Sequence, residues 1–327
     1  MAMQLLVNDA EKGSNLVFSP LSFQVMLSLI AAGAKGSTLQ QLLLFLGVSN
    51  IADLHLQSSH IVSLASPDNN AESILGGPLL SFVNSAWIDK QFPLKPSFEE
   101  IAKVLFKAEA RGVDFAAKDA TKGLIKELIP SGCLNSDTAL VLANALYFKG
   151  AWNRIFDASK TESKEFHLLT GEAVEVPFMT SKRYEKHLYR ETDKGFKILK
   201  IPYQRKQDPT LHRFWIPRFK FSYGFEASGT LKELGLDLPF RNVGELTGII
   251  DSVDSHKICL SEIFHKSYIE VNEEGTEAAA STAPRIIRCS GRLSPPTFVA
   301  DHPFLFMIRE DTTRTMFFIG AVLNPRL

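Results

Sequence analysis

The side chains that could carry out catalysis are spread along the chain without a recognisable arrangement. The 8 histidines and the serines do not form the pattern of a nucleophile beside its base. No phosphate-binding loop and no metal-ligand spacing occurs. The 3 cysteines, Cys133, Cys259 and Cys289, are an odd and sparse set that gives no disulfide framework and suits a reducing compartment. The sequence therefore predicts no enzyme, no cofactor and no metal site.

One segment has a composition that suits a change of conformation rather than catalysis. Its residues are Glu273, Glu274, Gly275, Thr276, Glu277, Ala278, Ala279, Ala280, Ser281, Thr282 and Ala283. Gly275 allows backbone angles that other residues resist, and the small side chains after it would fit between two strands. An apolar strand pattern returns at residues 298–308. Taken alone, the alanine-rich run would also suit a flexible linker or a helix.

Composition and length place the chain among ordinary globular proteins. Its 327 residues suit one large domain or two smaller ones, and 45% of them are hydrophobic. The 36 basic and 36 acidic residues cancel, so charge predicts no nucleic-acid partner. Residues 1–15 lack the basic segment and apolar run of a secretory signal, and no stretch is long and apolar enough to cross a membrane. We expect a cytoplasmic protein without a membrane or nucleic-acid partner.

Helix signals are clearest in the first third of the chain. Ser19 followed by Pro20 predicts the capped start of a core helix, which would end near Gly33. A second helix is predicted over 38–46, and Pro96 marks another helix start. A short helix is predicted over 224–236.

Strand signals occupy most of the remainder. The segments with strand composition are 79–89, 139–150, 196–203, 214–221, 303–308 and 316–322. The run 139–150 is almost continuously apolar, which predicts a strand buried on both faces near the centre of a large sheet. The last two segments predict a hairpin. Helices and strands are mixed without regular alternation, so the predicted fold class is α+β.

Short motifs through most of the chain resemble those of serpins, and of plant serpins above all. They lie at 15–22, 84–87, 144–152, 178–179, 263–266, 273–280, 298–304 and 318–325. The resemblance implies one serpin-like domain over 1–327, with a large mixed sheet and N-terminal helices. It also implies an exposed segment at 273–297 that comprises a hinge and a reactive-centre loop.

The resemblance assigns roles to several polar residues. In the family, residues matching Ser19, Ser22, Asn144 and His265 meet beneath the point where the main sheet opens. Trp152 matches a residue where the loop first enters the sheet. The simpler alternative is a set of buried polar groups that satisfy one another, with Ser19 acting as a helix cap.

The resemblance also implies a mechanism in which a protease supplies the chemistry. The protease attacks the loop, forms an acyl-enzyme, and is carried across the molecule as the cleaved loop inserts into the main sheet. The family's usual interval from Glu273 places Cys289 before the scissile bond and Ser290 after it. Arg288 would instead suit the acidic pocket of a trypsin-like protease, with Arg285 and Arg292 as further basic candidates. Alternatively, these basic residues only keep an exposed loop soluble.

Two regions depart from the family pattern. Near 116–123 the chain lacks a helix that normally covers the main sheet, and near 204–213 it lacks strands and helices of a second sheet. We expect the first loss to leave apolar sheet surface facing water. We expect the second to leave unpaired strand edges and to expose the helix that begins after Ser19.

These departures decide the functional prediction. The leading hypothesis is a monomeric serpin-like protein that is non-inhibitory because body segments are missing. One alternative is a suicide-substrate inhibitor of trypsin-like serine proteases or papain-like cysteine proteases, acting through Arg288 or Cys289. Another is a non-inhibitory binding or storage protein. Resemblance to serpins leaves the extracellular space open as a location beside the cytoplasm.

Overall fold

The computed structural model describes residues 13–65, 79–115, 129, 133–135, 138–152, 155–181, 189–203, 214–243, 245–252, 258–276 and 298–327. Both shortened regions, 116–123 and 204–213, lie outside the described residues. So do Glu277 and the loop that follows it, including Arg288, Cys289 and Ser290. The predictions for these parts therefore remain predictions.

Five α-helices lie among the described residues. They are α1 (Pro20–Gly33), α2 (Gly36–Leu46), α3 (Ile51–Ala65), α4 (Pro96–Leu105) and α5 (Ser228–Glu233). Helix α1 begins as predicted, because the Ser19 side chain accepts a hydrogen bond from the backbone N–H of Ser22 at 3.2 Å. The helix predicted over 224–236 is wrong at its start, since residues 224–226 belong to a strand that pairs with its neighbour.

The described residues form fifteen strands. They are β1 (Leu16–Phe18), β2 (Leu79–Asp89), β3 (Ala108–Val113), β4 (Leu140–Ala151), β5 (Glu162–His167), β6 (Ala173–Ser181), β7 (Tyr189–Glu191), β8 (Lys197–Leu199), β9 (Phe214–Pro217), β10 (Phe219–Glu226), β11 (Glu262–Val271), β12 (Gly275–Thr276), β13 (Phe298–Val299), β14 (Phe304–Arg309) and β15 (Met316–Val322). The strand predicted over 214–221 is really two strands in different sheets, interrupted at Arg218.

The largest sheet has the strand order β10-β11-β4-β2-β3, and β12 pairs with the end of β4. Strand β4 lies between β11 and β2, which confirms the predicted central strand. Its pairing with β2 is antiparallel, whereas its pairing with β11 is parallel and runs from Val141 opposite Glu262 to Tyr147 opposite Tyr268. The two parallel strands are thus joined directly along most of their length.

Three smaller sheets complete the architecture of the described residues. Their strand orders are β1-β15-β14, β13-β9-β6-β5 and β7-β8. The pairing of β14 with β15 confirms the predicted C-terminal hairpin. Helices and mixed sheets together give the predicted α+β class.

Helix α1 lies in the main core, where it packs against β4, β15 and the neighbouring helices. Leu21, Phe23 and Leu27 are at most 5% exposed. The expectation that loss of the second-sheet segments would expose this helix is therefore wrong. The described helices and strands enclose it without those segments.

The face of the main sheet away from α1 is covered at one end. There Trp87, Val141 and Phe264 are buried in a cluster with Phe115 and Ile129, which flank the first shortened region. The expected apolar exposure is therefore wrong at this end, because residues on both sides of the shortened region pack onto the sheet. Val83, further along β2, is 60% exposed.

Two of the described strands, β8 and β14, each pair on one side only. Among the described residues, β14 pairs only with β15, and β8 pairs only with β7. Leu305 and Met307 on β14 are 63% and 61% exposed, and Phe196 and Ile198 near β8 are 65% and 52% exposed. Among the described residues these edges have no second partner strand, and the expectation of unpaired edges at the second shortened region stays a prediction.

Candidate functional site

A row of buried polar side chains crosses the centre of the main sheet. His265 on β11 lies opposite Asn144 on β4, which lies opposite Asn84 on β2. The Nδ1 of His265 is 3.0 Å from Asn144 Oδ1, and Asn144 Nδ2 donates to Asn84 Oδ1 at 2.7 Å. Asn84 Nδ2 in turn donates to the backbone carbonyl of Phe106 at 3.2 Å. Hydrogen bonds therefore connect three strands through their side chains.

The other ring nitrogen of His265 connects this row to the start of helix α1. Its Nε2 accepts a hydrogen bond from the backbone N–H of Ser19 at 3.2 Å and lies 2.8 Å from Ser267 Oγ. Because Nε2 accepts, the ring proton resides on Nδ1, which donates to Asn144. Complete burial lowers the pKa of His265 from 6.5 to about 3. The imidazole is therefore neutral at neutral pH. We call Ser19, Asn84, Asn144, His265 and Ser267 the polar row.

The polar row contains three of the four residues assigned to this point by resemblance. Ser22 takes part through its backbone only, since its buried hydroxyl has no hydrogen-bond partner among the described residues. Sequence reasoning missed Asn84 and Ser267. A signal for Ser267 was available, because residues two apart on a strand point to the same face.

The chain reverses direction immediately after β11 and returns along β4. Strand β12 pairs antiparallel with Gly150 and Ala151, beyond the last residue of β4 that β11 contacts. The backbone N–H of Trp152 donates to Glu274 O at 3.0 Å, and its indole N–H donates to Asn272 O at 2.8 Å. The first hinge residues are therefore fixed to the end of β4.

Aromatic rings pack around this end of β4. The rings of Trp152 and Tyr203 stack with centroids 4.5 Å apart, and the Tyr203 ring meets that of Phe148 edge-on. A Cβ added at Gly150 would lie 2.8 Å from both Phe148 and Tyr203. The glycine is thus required by the close approach of these rings.

The side chain of Glu273 joins the hinge to two other parts of the chain. Thr161 Oγ1 donates to its Oε1 at 2.5 Å, and the Arg218 Nε lies 3.5 Å from its Oε2. The backbone carbonyl of Glu273 also accepts from the N–H of Phe156 at 2.8 Å. Glu273 is 8% exposed, so these bonds are largely shielded from solvent. Sequence reasoning placed Glu273 in the hinge but missed both side-chain partners.

We predict that Glu273→Ala will loosen the hinge. It should lower the free energy of unfolding by about 1–3 kcal/mol, because the Thr161 hydroxyl and the Arg218 guanidinium lose their acceptor. Urea denaturation gives this value, and limited proteolysis of the segment after 276 should become faster. Glu274→Ala is the matched control, since the described bonds of Glu274 use its backbone only. Equal effects of the two substitutions would contradict the role given to the Glu273 carboxylate.

The arrangement can hold or release a segment of chain, but its geometry does not suit bond-breaking chemistry. The polar row is buried, and its histidine is fully occupied by hydrogen bonds. Within the described ranges, no group of three or more potential metal ligands lies close together. In the same part of the chain, no helix is long and apolar enough to span a membrane.

Comparison with known proteins gives a consistent result. The family model described as serpin (serine protease inhibitor) matches residues 1–211 and 205–325. The chain is 41% identical to Serpin-ZXA of Oryza sativa subsp. japonica, over 96% of this chain and 91% of the relative. It is 41% identical to Serpin-ZX of Arabidopsis thaliana, over 98% and 94%. Serpin-Z1C of Triticum aestivum is 38% identical over 382 aligned positions, which cover 100% of this chain and 94% of the relative.

A solved structure shows the same likeness in three dimensions. Arabidopsis AtSerpin1, in its native stressed conformation, superposes with a TM-score of 0.81 at 38% identity. The match covers 100% of this chain and 98% of that chain. Serpin48 of the insect Tenebrio molitor shares the fold with a TM-score of 0.80 at 24% identity.

Proposed function

This chain belongs to the serpin family, and we propose that it presents its loop to proteases as a substrate without trapping them. The target would be a trypsin-like serine protease or a papain-like cysteine protease. The scissile bond would be Arg288–Cys289 or Cys289–Ser290. In this proposal the protein is a non-inhibitory serpin.

The observation that carries the proposal is the interrupted match to the family in the second half of the chain. The two matched segments of the family model meet at residues 205–211, inside the second shortened region. The alignment with Serpin-Z1C runs over 382 positions, whereas this chain has 327 residues, so at least 55 positions have no residue here. Strand β8 ends shortly before the second shortened region, and among the described residues it pairs only with β7, which fits the loss of residues that would pair with it.

A reduced body weakens protease trapping for a physical reason. Trapping requires that the free energy released by loop insertion deforms the protease while the serpin body stays folded. The free energy of unfolding of a domain is only about 5–15 kcal/mol, so lost strand pairing removes a large fraction of what keeps the body folded. When the body yields first, the acyl-enzyme hydrolyses and an active protease leaves.

We predict that a trypsin-like protease will cleave the loop of the full chain and keep its activity. Denaturing electrophoresis should show no covalent complex, and the fragment masses should identify the cleaved bond. Arg288→Ala should slow cleavage at that bond at least about a hundredfold, because the acidic pocket of the protease loses its charged partner. Arg292→Ala is the matched control and should leave that cleavage unchanged.

A second candidate function is inhibition, and the geometry of the hinge favours it. Strand β12 is already paired with β4, and Glu273 is anchored by Thr161 and Arg218. The hinge is therefore ordered at the place where insertion would begin, and further insertion along β4 would require β11 to separate from β4. A covalent band together with stoichiometric loss of protease activity would establish this function and overturn the first. Loop cleavage with full recovery of protease activity would exclude it for that protease.

A further inference from the structure

Two histidines from distant parts of the chain meet near strand β13. His167 is the last residue of β5, and His302 lies shortly after β13. Their imidazole rings have centroids 4.9 Å apart and are tilted by 39°. Neither histidine belongs to the polar row or to the hinge. Two neighbouring imidazoles are a combination that transition-metal ions recognise, because neutral imidazole nitrogen is among their commonest ligands in proteins.

The backbone holds the two segments together independently of the rings. The N–H of His167 donates to the carbonyl oxygen of Asp301 at 2.8 Å, so the residue before His302 is bonded to the end of β5. The N–H of Ala300 donates to the carbonyl oxygen of Trp215 at 2.9 Å, which bonds the same segment to β9. The two imidazoles are therefore brought together before any ion binds, which lowers the entropy lost on binding.

The side chain of Asp301 determines which nitrogen of His302 is available. Its Oδ1 lies 2.8 Å from Nδ1 of His302. An ionised carboxylate only accepts hydrogen bonds, so Nδ1 carries the proton of the neutral ring and Nε2 keeps a free lone pair. The His302 side chain is 68% exposed, so an ion in solution can reach it. A carboxylate bonded to a histidine in this way orients the ring and makes it a stronger metal ligand.

We propose that His167 and His302 together bind one divalent transition-metal ion, Zn²⁺. With metal–nitrogen bonds of about 2.0 Å, rings with centroids 4.9 Å apart subtend an angle of about 100° at a shared ion, close to tetrahedral. Water completes the coordination, because only two ligands come from the protein. The site therefore agrees with the lack of larger ligand groups among the described residues. It departs from the sequence-based expectation of no metal site.

An ion at this position joins the strand after the loop to the body of the protein. Strand β13 pairs with β9 through two residues, Phe298 and Val299. His302 belongs to the segment directly after β13, whereas His167 is held in the hairpin of β5 and β6. An ion that needs both histidines stabilises the attached state of β13 by mass action. The site is independent of the proposed function, since it acts on the far end of the loop from the hinge.

Isothermal titration calorimetry tests the proposal, with Zn²⁺ as the probe and the full chain purified without a polyhistidine tag. We expect His302→Ala and His167→Phe each to weaken binding by about tenfold or more. Phenylalanine keeps a ring at the half-buried position 167 but has no ligand nitrogen. Asp301→Ala should weaken binding by about tenfold, because Nδ1 of His302 loses its acceptor. His60→Ala, which removes an exposed histidine from α3, is the matched control and should leave binding unchanged.

Hydrogen exchange measures the predicted consequence for β13. The amide of Ala300 is the donor that bonds the segment after β13 to β9. At a Zn²⁺ concentration ten times the dissociation constant, its exchange should slow by about tenfold, because the ion must leave before the segment opens. His302→Ala and His167→Phe should abolish this protection. Without Zn²⁺ both variants should be nearly as stable as the parent chain.

Each outcome decides the proposal. Loss of one Zn²⁺ site in both single variants, with Zn²⁺-dependent protection of Ala300 in the parent chain, supports it. A chain that binds no Zn²⁺ up to about 1 mM overturns it, as does binding that persists in both variants. Weakening by only one variant overturns the shared site, and unchanged exchange at Ala300 overturns the restraint on β13. Circular dichroism verifies folding, and His167→Gln replaces His167→Phe if the larger ring disturbs it.

Discussion

Replacing His265 by alanine should lower the free energy of unfolding by about 3–5 kcal/mol, one of the two largest effects that we predict. The substitution leaves three buried groups without their partner: the Asn144 side-chain oxygen, the Ser19 backbone N–H and the Ser267 hydroxyl. It also opens a cavity where the ring packs between Phe23 and Phe225. Urea denaturation at neutral pH measures the loss.

The same variant should change how stability depends on pH. In the folded chain the pKa of His265 is lowered to about 3, whereas the unfolded side chain binds a proton below 6.5. Between these values the unfolded state holds more protons, so the stability of the parent chain falls as the pH falls. The slope due to this residue is at most about 1.4 kcal/mol per pH unit. The alanine variant lacks this slope, so the two chains should become closer in stability toward acid.

His302→Ala is the matched control, because the His302 side chain is 68% exposed. It should cost well below 1 kcal/mol, as exposed substitutions usually do. A constant difference between the parent chain and H265A across the acid range would contradict a neutral, buried His265. The predicted loss of stability at neutral pH and the predicted pH dependence of stability are therefore tested separately.

Replacing Gly275 by alanine should destabilise the chain by about 3–5 kcal/mol and detach the hinge from β4. Gly275 has a φ of +140°, which side chains with a Cβ rarely adopt. The added Cβ would overlap the carbonyl oxygen of Gly150 and lie 2.7 Å from the Cα of Ala151. Both obstacles are backbone atoms, so no side-chain rotation relieves them. Thermal unfolding and the rate of loop proteolysis measure the effect.

Gly171→Ala separates strain from overlap. Gly171 also has a positive φ, +85°, but a Cβ there would have no atom within 4 Å. Its replacement should cost only about 1–2 kcal/mol, the penalty of the left-handed backbone. If G275A lowers the free energy of unfolding no more than G171A does, the close approach of the hinge to β4 does not make Gly275 necessary. If G275A leaves loop proteolysis unchanged, the pairing of β12 with β4 does not restrain the loop.

Local signals in the sequence predicted those elements whose neighbours reinforce them. Ser19 and Pro20 define the start of α1 because capping depends on adjacent residues. The apolar run of β4 predicted a central strand, and alternate residues of its first half are buried in apolar clusters on the two faces of the sheet. The same reasoning was wrong for the segment 214–221, which it predicted as one strand. Its alternation is unbroken, but the chain passes from one sheet to another at Arg218, which only tertiary packing decides.

The candidate site was predicted in part for a similar reason. Resemblance supplied Ser19, Asn144 and His265, which the structure brings into hydrogen-bond contact through Asn144 and the Ser19 backbone. It did not supply Thr161 or Arg218 as partners of Glu273, because neither residue lies in a motif that carries the resemblance. The expected exposure of α1 was wrong because burial depends on the whole enclosure of the helix rather than on the segments lost from one side.

The two ends of the described chain are joined, and this has a consequence for the time at which the protein can fold. Strand β1 pairs with β15, and Asn15 exchanges hydrogen bonds with the backbone of Leu323 and Asn324. During synthesis β1 emerges well before β15, its only pairing partner among the described strands. The sheet therefore cannot close on the ribosome before β15 has emerged, and until then β1 lacks the strand with which it pairs. A nascent chain stalled before residue 316 should still display β1 to chaperones.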